Sequence, residues 1–251
     1  MKKLMFILFM SSFILILTLI YKENNLNKSL ESFSITKEKN SIENMYLNKW
    51  VNKKWLTLGD SITKAGKYQN ILKNKLGFSE ICNKGINGQT MAHQTKNKST
   101  YDLGKEIDYN DYDLVTIFIG TNDFRYGKKI GKIVTDENYF DETTFTGSYQ
   151  LLIENILSSN PKIDLVLITP MQRNHDGYDI NFKNNKGHKL IEYVEATINL
   201  GKLYSLPVLD LYSVSGLTER TLDALTRDGL HPNDMGYDRI SEKIFRFLLS
   251  I

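Results

Sequence analysis

The sequence holds one cysteine, Cys82, in 251 residues. No intrachain disulfide can form, and a lipoprotein anchor is excluded because no cysteine lies near the apolar N-terminus. Proline is scarce as well, at four residues, and an excess of one charge is missing from most of the chain. The formal net charge is +3, but Lys2, Lys3 and Lys22 supply all of it, and residues 1–22 contain no acid. The remainder carries 29 basic and 29 acidic groups, so nothing favours a polyanion such as nucleic acid as partner. Internal repeats and long low-complexity tracts are lacking too. With 41% apolar and 24% charged residues the chain reads as globular rather than disordered. Its length suits one α/β domain with a full core rather than two.

The N-terminus speaks to the compartment. Two lysines precede an uncharged run from Leu4 to Tyr21, longer than a signal-peptide core of about 7–15 residues and close to the roughly 20 that span a bilayer. Residues 32–34, Ser-Phe-Ser, make a poor cleavage site. For residues 1–22 an uncleaved membrane anchor is therefore favoured over a cleaved signal peptide. The leading lysines predict a cytoplasmic N-terminus and an extracytoplasmic body, membrane-anchored or secreted. Membrane contact is expected through this segment only. Residues 23–52, rich in Lys, Asn, Glu and Ser, read as a polar linker, and a single domain is expected over 53–251.

From Lys54 onward, short apolar runs alternate with amphipathic segments. Residues 54–59, 80–82, 114–120, 164–170 and 207–211 read as strands, several of them apolar without alternation, which fits strands covered on both faces. Cys82 falls in the second and is expected to be a small buried apolar residue rather than a nucleophile. Residues 66–76, 148–158, 188–203 and 234–249 carry helical spacing. The economical fold is α/β, a central parallel sheet of about five strands with helices on both faces. In such sheets, sites form at the carboxyl ends of strands.

Four polar motifs fall near those ends. In "GDSIT" (59–63) Ser61 sits on a strand-to-helix turn, where a hydroxyl and its own N–H can serve as nucleophile and anion donor. An ordinary Asp/Ser N-cap would look the same, and the G-x-S-x-G elbow fails because Thr63 replaces its second glycine. "NKGINGQT" (83–90) supplies glycines able to turn an N–H toward a neighbour, or simply a loop. In "GTND" (120–123) Asn122 can close a turn or act as an oxyanion donor. In "DGLHP" (228–232) Asp228 can reach His231 Nδ1, fix the tautomer and leave Nε2 as base. Taken together, nucleophile, base, orienting acid and donors make an acyl-transfer constellation.

These four motifs, in this order, resemble the SGNH (GDSL) hydrolases, over roughly residues 53–251. The resemblance implies a flavodoxin-like three-layer α/β/α fold and no cofactor. It implies Ser61 as nucleophile, Asp228 and His231 as acid and base, and Ser61, Gly88 and Asn122 as the oxyanion hole. Gly85 fits less well than Gly88, which stands two residues before Thr90 as the family's donor does. The activity implied is that of a serine esterase on O-acyl esters, acetyl among them, with extracytoplasmic carbohydrate as the expected substrate. A lipase or lysophospholipase with a larger acyl channel, an O-acyltransferase using the same site, and a non-catalytic binding module are the alternatives.

Other residues are weighed and set aside. His93, His175 and His188 show no metal-ligand spacing, and no metal is expected. Asp210 reads as a structural carboxylate. Arg173 lies past a strand end, either lining the site or on the surface. Loops 124–146 and 171–187 hold aromatic residues that suit substrate selection or the packing of the loops themselves.

Overall fold

The structure, a computed structural model, describes residues 19–31, 48–94, 99–135 and 139–251. Its contacts divide the chain into two units, Met1–Lys49 and Trp50–Ile251. In the first unit residues 19–31 are helical. Most of the apolar run 4–21, and residues 32–47 of the expected linker, lie outside the described residues. No helix among the described residues is long and apolar enough to cross a membrane.

The second unit builds in the order β1 (Lys54–Gly59), α1 (Ser61–Lys64), α2 (Lys67–Leu76), β2 (Glu80–Gly85), α3 (Thr100–Gly104), β3 (Leu114–Phe118), α4 (Thr121–Arg125) and α5 (Phe145–Ser159). It continues with β4 (Asp164–Ile168), α6 (Leu190–Tyr204), β5 (Val208–Leu209), α7 (Leu211–Val214), α8 (Leu222–Leu225) and α9 (Asp234–Ser250). The five strands form one parallel sheet in the order β2-β1-β3-β4-β5. This is the flavodoxin-like order, with its switch point between β1 and β3.

Alternate residues of each central strand enter different cores. Trp55, Leu114, Phe118, Val166 and Ile168 join one cluster with Tyr68 and Leu72 of α2 and Tyr237, Ile240 and Ile244 of α9. Leu56, Leu58, Val115, Ile117, Leu165 and Leu167 join the other with Tyr149 and Leu152 of α5 and Tyr193 and Leu200 of α6. Burial on both faces is why these strands read as unbroken apolar runs. The two threonines that interrupt them, Thr57 and Thr116, are wholly buried and bonded. Gln69 Nε2 donates to Thr57 at 3.2 Å and Trp55 Nε1 to Thr116 at 3.0 Å.

The edge strands differ from expectation. β2 runs to Gly85 and is half-exposed, because as an edge strand it has a neighbour on one side only. Cys82 is accordingly half-buried rather than buried. β5 shrinks to two residues. Pro207 before it has no N–H for the ladder, and Asp210 after it caps α7 by accepting from Ser213 N at 3.3 Å. Asp210 also accepts from Thr169 Oγ1 at 2.9 Å, a structural role.

Candidate active site

The carboxyl end of β1 delivers Ser61. Asp60 N-caps α1 by accepting from Ile62 N at 2.9 Å, between the end of the strand at Gly59 and the serine. Thr63 fills the place of the second elbow glycine for a packing reason. Its hydroxyl lies against Gly59, where an added Cβ would sit 2.3 Å from Thr63 Oγ1, and it accepts from Tyr68 Oη at 3.1 Å.

The loop that carries Asp228 and His231 is closed by a bridge between Thr226 and Pro232. Gly229 turns it with φ +79, in a spot where a Cβ would lie 2.0 Å from Asn174 O, so no other residue fits. Asp228 Oδ1 accepts from the N–H groups of Leu230 at 3.1 Å and His231 at 2.8 Å, and Oδ2 meets His231 Nδ1 at 2.7 Å. Burial raises the Asp228 carboxyl, but the His231 backbone N–H, ring and charge outweigh it and leave the pKa lowered to about 2. Asp228 thus stays ionised and holds the Nδ1 proton, leaving Nε2 to face Ser61 Oγ at 2.9 Å. The sequence motifs at 61, 228 and 231 meet in one hydrogen-bonded chain.

The candidate donors stand beside it. Gly88 has φ +70, and neither its N–H nor that of Ser61 donates to an acceptor among the described residues. Asn122, buried at 3% exposure, gives one amide hydrogen to Gln89 O at 3.0 Å. That bond orients the side chain and leaves its second hydrogen unspent. Ser61, Gly88, Asn122, Tyr126, Asp228 and His231 all line one cavity of about 990 Å³. If Asn122 donates to a developing oxyanion, Asn122→Ala is expected to lower kcat about 100- to 1,000-fold with the fold retained. Steady-state rates with a circular-dichroism melt check this, and a rate within about threefold of the parent would remove Asn122 from that role.

Behind the site lie groups whose contribution the sequence did not reveal. Arg173 neither lines the cavity nor reaches the surface; it is 1% exposed. Its Nη1 donates to Thr121 Oγ1 at 3.0 Å, next to Asn122. Two residues on, His175 Nδ1 meets Asp228 O at 2.7 Å, and Asn174 N donates to Gly229 O at 2.9 Å. The segment after β4 therefore ties the Asn122 turn to the Asp228–His231 loop. Asp123 receives Met91 N at 2.8 Å and Ala92 N at 3.0 Å, fixing the loop that carries Gly88.

Two of these supporting carboxyls are fully buried, with consequences for stability. Burial pushes Asp60 from 3.8 up to about 7, against the Ile62 N–H and Arg173, with Asp123 adding to the rise. Burial likewise pushes Asp123 up to about 6, opposed by the Ala92 and Met91 N–H groups and Lys128. In the unfolded chain both release their protons near 3.8. Between those values the folded state binds more protons, so its stability is expected to fall as pH rises from about 4 to about 7. Asp228, held near 2, is fully ionised across that window and does not offset the fall. Tm should drop by several degrees between pH 5 and 8, and Asp60→Asn should reduce the drop; a Tm flat across this range would contradict both assignments.

The remaining histidines each face a carboxylate. His93 Nδ1 meets Asp102 at 2.9 Å, His188 Nδ1 meets Glu192 at 2.7 Å, and His175 Nε2 meets Asp176 at 3.3 Å. No cluster of metal-ligating side chains occurs among the described residues. Of the loop aromatics, Phe124 and Phe145 are core residues, while Tyr178 and Phe182 pack on Phe124 at 5.9 and 6.2 Å between ring centroids. Tyr126 lines the cavity.

Comparison with known proteins bears on the fold and the family. A protein from Lactobacillus plantarum of solved structure is 26% identical, with a TM-score of 0.70 over 80% of this chain and 98% of that one. A possible lipase from Chitinophaga pinensis is 24% identical, with a TM-score of 0.59 over 77% and 96%. An acetyl xylan esterase is 23% identical, with a TM-score of 0.54 over 77% and 98%; these last two share the fold. No curated protein matches the chain in sequence. The model of the GDSL-like lipase/acylhydrolase family matches residues 57–239, well over half of the chain. The chain therefore belongs to the GDSL-like lipase/acylhydrolase family and is a carboxylic ester hydrolase.

Proposed function

We propose that the chain is a serine esterase that cleaves O-acyl esters through an acyl-enzyme, with Ser61 as nucleophile, His231 as base and Asp228 as orienting acid. The observation that carries this reading is the unbroken chain Ser61 Oγ–His231 Nε2 at 2.9 Å and His231 Nδ1–Asp228 at 2.7 Å, opening onto a cavity at the switch point of the sheet. Ser61 Oγ gives its proton to His231 while attacking the ester carbonyl. The N–H groups of Ser61 and Gly88 and the Asn122 amide receive the oxyanion. His231 then protonates the departing alcohol, and water repeats the cycle on the acyl-enzyme.

The site works outside the cytoplasm, on O-acylated carbohydrate, in this reading. The lysine-led apolar run of residues 1–22 supports the location, and a fold shared with an acetyl xylan esterase is in keeping with the substrate. The test uses the full chain in detergent with p-nitrophenyl acetate, butyrate and octanoate, and Ser61→Ala as control. Serine-dependent turnover that is fastest on acetate is the expected result. Fastest turnover on octanoate would favour a lipase, and no serine-dependent turnover of any ester would overturn the reading. An acceptor sugar that outcompetes water for the acyl group would make the chain an acyltransferase.

A further inference from the structure

The cavity above Ser61 is charged unlike the rest of the chain. Lys64, Arg125 and Arg227 line it, and its one acid is Asp228. That carboxylate is engaged by His231 at 2.7 Å, and Arg125 is paired with Asp176 at 3.1 Å. Lys64 and Arg227 are exposed, and neither has a carboxylate within ion-pair distance among the described residues. Beyond residue 22 the charges balance at 29 of each sign. The excess is therefore local to the site.

Chain position ties these two cations to the reacting atoms. Lys64 stands three residues after Ser61 on α1. Arg227 N donates to His231 O at 2.9 Å, across the base of the acid–base loop. In the mechanism above, His231 must face the alcohol it protonates, so Arg227 belongs to the alcohol side of the ester. Tyr126, 48% exposed, and Asn87 line the same cavity with a ring face and an amide. A neutral acyl sugar would leave both cations unused.

We propose that the site selects O-acyl esters whose alcohol portion carries an anionic group, a carboxylate or a phosphate, received by Arg227 and Lys64. Arg125, anchored by Asp176 and 5.8 Å from the Tyr126 ring centroid, adds a fixed part of the field. A guanidinium matches both anions with paired N–H donors, and an ammonium adds a mobile charge. Cations in a concave wall raise the local concentration of an anionic substrate, and salt weakens the effect. The proposal rests on the serine-esterase reading.

The test compares kcat/KM of the full chain in detergent for three acetyl esters on one phenol frame: 3-acetoxybenzamide, 3-acetoxybenzoate and 3-acetoxybenzyl phosphate. Intrinsic reactivities differ, so the readout is the anionic-to-neutral ratio and how it changes in the Lys64→Gln/Arg227→Gln double variant. That ratio should fall about 5- to 20-fold in the variant, and comparably for the parent protein in 0.5 M salt. Whichever anion loses more identifies the group the site receives. A ratio unchanged within about twofold in the variant overturns the proposal while leaving the esterase reading standing. Absence of Ser61-dependent turnover on all three esters and on p-nitrophenyl acetate would sink both.

Discussion

Ser61→Ala is expected to lower kcat on p-nitrophenyl acetate by at least about 10⁴-fold, because triad members act as a unit and the remaining donors retain only a modest rate advantage over water. The geometry makes the expectation specific. Ser61 Oγ has His231 Nε2 as its hydrogen-bond partner at 2.9 Å. Its removal takes away the group that attacks without opening a buried network, since the capping bond of α1 comes from Asp60. Tm should therefore stay near that of the parent. A serine-directed covalent probe should add one label to the parent protein and none to the variant. If Ser61→Ala keeps more than about a tenth of the parent rate, the carbonyl is being attacked by something other than this serine, and the assignment of His231 as its base fails with it.

The residues that hold the Ser61–His231–Asp228 chain in place matter as much as that chain, and they are the part the sequence concealed. Asp228 and His231 are three residues apart, so their contact is a local matter of chain geometry and shows in the motif. Ser61 follows a strand whose apolar run is plain, and Asn122 another. The three strands β1, β3 and β4 are equally plain, because burial on both faces leaves little but apolar residues in them. Arg173 is different. Its partner Thr121 lies 52 residues earlier, and no local pattern distinguishes a buried arginine from an exposed one. The contact of His175 with Asp228 spans 53 residues and is hidden for the same reason. The aromatic residues of loops 124–146 and 171–187 divide between core, cavity and solvent, where Tyr139 lies, according to how the two loops fold on each other, which spacing within either loop does not encode. Cys82 misled because an edge strand and a central one share a composition when the run is only three residues long.

Asp228→Asn should be nearly as damaging as loss of the serine, at about 10⁴-fold in kcat. The physical reason is the proton on His231. The carboxylate accepts twice through Oδ1, from the N–H groups of Leu230 and His231, and faces Nδ1 through Oδ2. An asparagine can keep the two backbone bonds with its carbonyl oxygen, which leaves its NH₂ directed at Nδ1. Nδ1 must then accept, the ring proton moves to Nε2, and Nε2 faces Ser61 as a donor instead of a base. The loop should remain in place, because Gly229 O still receives Asn174 N at 2.9 Å and Asp228 O still meets His175 at 2.7 Å. A folded but inactive enzyme is thus expected, with a Tm close to the parent. Asp228→Ala separates orientation from charge: it frees the ring without imposing the wrong tautomer, so it should retain more activity than Asp228→Asn. Equal loss in both variants would mean that the carboxylate acts through its charge alone, and an Asp228→Asn rate within about tenfold of the parent would show that His231 is held by something other than this acid.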